Sequence, residues 1–221
     1  MNTRTQPRAT VRGITLGLTT AAVLALTACS GGLQTGDLTG DASDMVEPAW
    51  AGPVTTPGSK IATIPLGDIS VDVFQVGTVA APTHGRYFDR TSGKPYIAEG
   101  DELVFFNYVV TNHGAPVDLD YSLILIEAFY DDGSYESSKM DTVDDEALYA
   151  DQGVNWTGMP GPFEGRKPYT LGTGESYSLG RNLEYQPGQD ITFRARYYPV
   201  DAYGETRLFD KVEGEASAVT H

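Results

Sequence analysis

The 221-residue chain has one cysteine, Cys29, and three histidines, His84, His113 and His221. With a single cysteine no internal disulfide can form, so stability has to come from burial alone. A zinc centre built from spaced Cys and His is excluded for the same reason. Basic residues are also few, 15 Lys and Arg against 30 Asp and Glu, a formal net charge of −15. Such a surface repels polyanions, so no nucleic-acid partner is expected. The one long apolar run, Ile14 to Ala28, is too short to span a bilayer.

Catalytic signatures are missing as well. Nucleophilic catalysis needs a Ser, Thr or Cys beside a base, and neither a Gly-x-Ser-x-Gly elbow nor a Ser-x-x-Lys pair occurs. The histidines read as solvated loop residues or, at His221, as the C-terminus. Thr91-Ser92-Gly93-Lys94 lacks the upstream glycine of a phosphate loop and is followed by Pro95, which makes it a turn. No enzyme activity is expected from this inventory, and no cofactor is implied.

What is present begins at the N-terminus. Arg4, Arg8 and Arg12 form a positive segment ahead of the apolar run, which ends in Leu26-Thr27-Ala28-Cys29. This resembles the bacterial lipobox, and the resemblance implies that residues 1–29 are a lipoprotein signal peptide with its lipidation site. Cys29 would then carry a diacylglycerol, and often an N-acyl chain, attaching the protein to the membrane on its extracytoplasmic face. The three arginines leave with that peptide and no acid does, so the mature chain keeps 12 basic and 30 acidic residues, a formal net of −18.

Residues 30–59 are rich in Gly, Thr, Ser, Asp and Pro and read as a flexible tether, with Trp50 a possible docking residue within it. From Lys60 to Val212 the composition shifts to short runs of Val, Ile, Tyr and Phe separated by turn signals. Ile69, Val71 and Val73 alternate with Ser70 and Asp72, the two-residue period of a half-buried strand. Leu103 to Asn112 is apolar on both parities, as a central strand covered on both faces would be. Val117 to Leu123 and Ile124 to Ala128 alternate on opposite parities, which requires a bulge or break near Leu123.

Asp131-Asp132-Gly133-Ser134 should close a hairpin into Tyr135 to Met140. Tyr177 to Tyr185 and Ile191 to Tyr197 should form an antiparallel pair joined at Pro187–Asp190. Arg207 to Val212 is a possible last strand, and residues 213–221 read as a frayed tail. Only Asp144 to Asp151 has helical character, with Asp144 as its N-cap. Seven or eight strands with so little helix predict an all-β fold, an immunoglobulin-like antiparallel β-sandwich without its disulfide.

A resemblance runs through Gly100-Asp101-Glu102-Leu103, Tyr108-Val109-Val110-Thr111-Asn112-His113-Gly114, Asp131-Asp132-Gly133 and Leu171-Gly172-Thr173-Gly174-Glu175-Ser176. These motifs are similar to those of bacterial exported lipoproteins with an immunoglobulin-like domain of unknown function, akin to the secreted immunoprotective antigen fold. The similarity spans Ile69 to Tyr198, and Thr173 stands where that group usually has proline. It implies a fold and no activity.

Two segments carry candidate chemistry. Between Asp131 and Asp151 eight acids face one base, Lys139, and calcium takes six to eight oxygens. Asp131, Asp132, Asp144 and Asp145 are therefore weak metal candidates, although their spacing does not fit a twelve-residue calcium loop. The second segment, Gly153 to Tyr169, carries Trp156, Met159 and Phe163 among glycines and prolines, with Arg166 and Lys167 adjoining. Such a loop either folds down as a lid on the core or is displayed for recognition. The favoured expectation is a non-catalytic module binding an unidentified protein or envelope partner. Calcium or small-ligand binding is one alternative, and hydrolysis of envelope sugar or peptide is another.

Overall fold

The computed structural model describes residues 44–130, 141–161 and 167–221. Among them are nine strands and one short α-helix. The strands are β1 (Ser59–Leu66), β2 (Ile69–Ala80), β3 (Glu102–Asn112), β4 (Val117–Leu119), β5 (Leu125–Tyr130), β6 (Tyr169–Leu171), β7 (Ser176–Glu184), β8 (Asp190–Tyr197) and β9 (Val212–Val219); the helix is α1 (Glu146–Asp151). All strand pairings within the sheets are antiparallel. One sheet runs β1-β2-β3-β7, the other β5-β8-β9, and β4 pairs with β6 in a small ribbon.

The two larger sheets face each other as an open sandwich. Val71, Val73, Phe106, Tyr108, Tyr177 and Leu179 from one share a core with Tyr130, Ile191, Phe193 and Ala195 from the other. Phe193 meets Phe106 edge-on at 5.1 Å and Tyr108 at 6.1 Å, the geometry aromatic quadrupoles prefer. β3 is the central strand the apolar run predicts, since all but its first and tenth residues are buried. Its outer face is covered too: Leu103 and Phe105 pack with Leu148 and Tyr149 of α1 and with Val154.

Several expectations are corrected. The runs Tyr177–Tyr185 and Ile191–Tyr197 do not pair with each other, because β7 bonds to β3 while β8 bonds to β5 and β9. Both bury the same apolar parity, and placing them in opposite sheets lets those faces meet across the core. The break expected near Leu123, by contrast, is present: Leu123 has a φ of 54°, which ends the pattern after Asp120 accepts from Ser122 N at 2.8 Å. The N-cap of α1 is Asp145, not Asp144: its Oδ1 accepts from Ala147 N at 3.0 Å and Leu148 N at 3.1 Å. The hairpin expected at Asp131 lies outside the described residues.

The ends of the domain also differ from expectation. Leu208–Asp210 form a 3-10 turn, and the last strand starts only at Val212. Residues 213–219 are not frayed, because β9 lays Gly214, Ala216 and Ala218 inward against β8. Thr220 is buried, and its Oγ1 donates to Gln186 O at 2.5 Å. On the N-terminal side the described part of the expected tether, residues 44–58, is packed. Val54 is buried with Phe74 and Val109, with Met45 partly buried against them, and Thr55 O accepts from Asn107 Nδ2 at 2.5 Å. Val46 O accepts from Ser176 N at 2.8 Å, so the chain enters beside the start of β7. The motif Leu171 to Ser176 proves to be turn chemistry: Gly174, at φ 77°, donates to Asn112 O at 2.7 Å, and Glu175 accepts from Gly172 N at 2.6 Å.

Candidate functional site

One side of the sandwich is closed and the other is open. β1 and β9 approach so tightly that a Cβ on Gly214 would overlap the carbonyl of Pro65. At the opposite side the edge strands β5 and β7 leave a cleft of about 390 Å³, floored by Tyr108, Leu183 and Ala128 and rimmed by Glu127, Arg196 and Arg181. It shares Arg86, Thr142 and Arg181 with a smaller cavity of about 240 Å³ that Trp156, Thr157 and Asp144 complete.

The loop that carries Trp156 is pinned on both sides of it. Val154 is buried, Gly180 N donates to Asn155 O at 2.6 Å, and Asn155 Nδ2 donates to Ser178 Oγ at 2.9 Å. Further on, Gly158 lies so close to the ring of Tyr177 that a Cβ would stand 2.8 Å from it. Between these points the Trp156 side chain stays 40% exposed. The two expectations for this loop therefore divide between its residues. Val154 and Gly158 fold down onto the sandwich, whereas Trp156 is displayed.

The other candidates fall elsewhere. Met159 and Lys167 line a separate groove of about 470 Å³ with Trp50 and Tyr169. There the Lys167 ammonium stands 5.5 Å from the Tyr169 ring centroid, and Trp50 donates to Thr170 O at 2.8 Å. Phe163, Arg166, Asp131, Asp132 and Cys29 lie outside the described residues. Asp144 forms an ion pair with Arg86, and Asp145 is engaged as the helix cap. Among the described residues no three His, Cys, Asp or Glu side chains are grouped to hold a metal.

Charge in the cleft is mostly balanced. Arg196 meets Glu127 with two bonds, 2.7 and 3.1 Å, a bidentate pair. Arg181 differs: its Nη1 donates to the carbonyls of Gly180 at 3.0 Å and Trp156 at 3.3 Å, and among the described residues it meets no carboxylate. Burial pushes the Tyr108 phenol well above its ordinary range, and the Arg181 charge acts against that shift. Asp141 is buried in the wall. Its Oδ1 accepts from Arg86 N at 2.7 Å, Thr142 N at 2.9 Å and Tyr87 N at 3.1 Å, while its Oδ2 has no hydrogen-bond partner among the described residues.

Arg181, Arg86, Asp141 and Thr142 were not legible as site residues from motifs. A signal for one of them was present, because Arg181 occupies the same parity as Tyr177, Leu179 and Leu183, where a core-facing side chain belongs. A cation at such a position has to emerge at a sheet edge or find compensation.

No protein-family model and no curated protein matches the chain. Two solved structures from Bacillus subtilis are similar at low identity. One is a lipoprotein candidate, ycdA of subsp. subtilis str. 168, with a TM-score of 0.33 and 15% identity over 71% of this chain. The chain spans 38% of that protein's length. The other is the yjhA protein, with a TM-score of 0.35 and 13% identity over 73% of this chain and 99% of its own. No helix among the described residues is long and apolar enough to cross a membrane.

Proposed function

We propose that the protein is a lipoprotein of the bacterial cell envelope, held to the extracytoplasmic membrane face through lipid on Cys29. It displays a non-catalytic, immunoglobulin-like binding domain. The leader ending in Leu26-Thr27-Ala28-Cys29 supports the anchor. The binding role rests on one observation: Trp156 is held out from a loop pinned on both sides of it, beside Arg181, whose guanidinium meets no carboxylate among the described residues. Tryptophan and arginine are the side chains that recognition surfaces favour, since each offers a large flat face together with hydrogen-bond donors. The partner is a protein or envelope component that presents an apolar group next to an acceptor.

The test is cross-linking of the acylated protein to its own envelope fraction, comparing the native chain with Trp156→Ala and Arg181→Gln. Loss of the same cross-linked species in both variants supports the cleft, whereas capture at the native level removes it as the binding surface. Mass spectrometry of the mature N-terminus checks the anchor separately.

A second reading, binding of a small polar ligand, is favoured by the Oδ2 of Asp141 in the cleft wall, which has no partner among the described residues. A buried acceptor of this kind is costly unless a donor arrives. Calorimetry with a panel of small polyols, amines and Ca²⁺ tests it, and heat that survives Asp141→Asn would rule out this carboxylate.

A further inference from the structure

The excursion between β8 and β9, residues 198–211, has no role in the cleft, yet it is an ordered piece of backbone. Val200 N donates to Asp118 O at 3.1 Å, Arg207 N to Pro199 O at 2.9 Å and Asp201 N to Glu205 O at 3.1 Å. On this scaffold Tyr203 is 85% exposed, Leu208 67% exposed and Phe209 fully exposed. Tyr121, about half exposed, lines a small cavity with Gly204 and Thr206 of the same excursion. Scattered apolar residues on a surface need no explanation, but two adjacent ones in a 3-10 turn, on an excursion that also exposes Tyr203, form a patch, the Leu208–Phe209 crest.

The position of this crest indicates what covers it. The start of β9 packs against the end of β1, which adjoins the start of β2. The start of β2 pairs with the end of β3, and the end of β3 pairs with the start of β7, where Val46 enters. The crest therefore leaves the sandwich at the end where the chain arrives from its N-terminus. Fourteen residues lie between Cys29 and Asp44. A chain of that length reaches at most roughly 50 Å.

We infer that the Leu208–Phe209 crest, with Tyr203 and Tyr121, rests on the lipid bilayer surface to which Cys29 is tethered. This inference depends on the lipid anchor proposed above. Leu and Phe suit the boundary between headgroups and acyl chains, and tyrosine suits the headgroup level. The contact is apolar in character. Arg207 pairs with Asp210 at 2.5 Å and Lys211 with Glu213 at 2.7 Å, while Asp201 and Glu205 beside Tyr203 and Asp120 beside Tyr121 leave the surface net negative, a charge that a zwitterionic headgroup layer does not repel. Repulsion from the rest of the acidic domain is screened beyond about 8 Å at physiological salt.

The experiment uses the acylated chain on phosphatidylcholine vesicles. Because Cys29 is the only native cysteine and is blocked by lipid, a spin label attaches solely to an introduced thiol, D210C beside the crest or Q189C at the opposite end. The label at position 210 is expected to lose accessibility to a water-soluble nickel complex and gain it to oxygen, while the label at 189 stays in water. Adding L208S and F209S to D210C should return that label to water. Equal nickel accessibility at both positions on vesicle-bound protein overturns the inference and leaves the anchor intact. Label–label broadening between molecules, with shielding that persists when vesicles are dissolved, overturns it in favour of a contact between copies. A chain that lacks acyl groups and does not float with vesicles removes the anchor, and the inference with it.

Discussion

Asn182 holds Val143 by both of its polar backbone groups: Oδ1 accepts from Val143 N and Nδ2 donates to Val143 O, each at 2.9 Å. The same Oδ1 accepts from Thr142 Oγ1 at 3.0 Å. A single side chain on β7 thus fixes the segment that brings Asp141 and Thr142 to the cleft. Asn182 and Val143 are both buried, so water cannot replace the amide in its bonds to Val143.

Asn182→Ala should therefore destabilise the domain by about 2–3 kcal/mol, because it leaves a buried donor and acceptor on Val143 without partners. Asn182→Leu should cost a similar amount, although it restores volume. Denaturant midpoints at unchanged m-value check both, and a change below about 0.5 kcal/mol would mean that the segment re-pairs elsewhere.

Gly85 is needed for space and not for backbone freedom, since its φ is not positive and a Cβ there would overlap the Asp141 carboxylate. Gly85→Ala is expected to cost about 1–3 kcal/mol through overpacking. The cost should fall sharply when Asp141→Ala is present, because the atoms that clash are gone. A double-mutant cycle reads this as a coupling energy, and simple additivity would place the two residues in independent environments.

Trp50 packs against Tyr177 at 5.2 Å and Tyr169 at 6.0 Å between ring centroids. Its indole N–H also bonds to β6, so residues 44–58 belong to the fold. Trp50→Ala should lower stability by about 2–3 kcal/mol, less than for a fully buried tryptophan, because the ring is partly exposed. Limited proteolysis should then cut within residues 44–58 before it cuts the strands. A native proteolysis pattern in the variant would return this stretch to the status of a tether.

The Tyr130 phenol is pushed up from its ordinary 10 to about 12, chiefly by burial, with the bond from Gln186 N acting the other way. Below pH 10 the hydroxyl is protonated in both folded and unfolded chains and has no effect on the pH slope. Between pH 10 and about 12 the unfolded chain releases a proton that the folded one keeps, so stability falls as pH rises. Tyr130→Phe should make that alkaline decline shallower by close to one proton. Stability measured at several pH values across the window checks the slope, and an identical slope in the variant would place the titration elsewhere.

Much of the fold was legible because two-residue periodicity reports which faces are buried. Ile69-Val71-Val73, the doubly apolar Leu103–Asn112 run and the parity change at Leu123 all correspond to what the backbone does. β9 was missed because its inward residues are Gly214, Ala216 and Ala218, small side chains that produce a weak alternation. The candidate site was less legible. Trp156 could be singled out by type, but nothing in its neighbours indicated that Arg86 and Arg181 would stand beside it.

Sequence alone determined that this domain is built from strands, which of its faces are apolar, and that no cysteine would cross-link it. Only the tertiary structure decided that β7 and β8 lie in opposite sheets, that β5 and β7 part to open a cleft, and that residues 44–58 close over the outer face of a sheet. The reason is physical. Periodicity records whether a side chain leaves water, a local property, whereas strand partners are chosen by backbone hydrogen bonds between residues far apart in the chain. Those bonds use groups that every residue carries, so they leave almost no trace in the identity of the side chains.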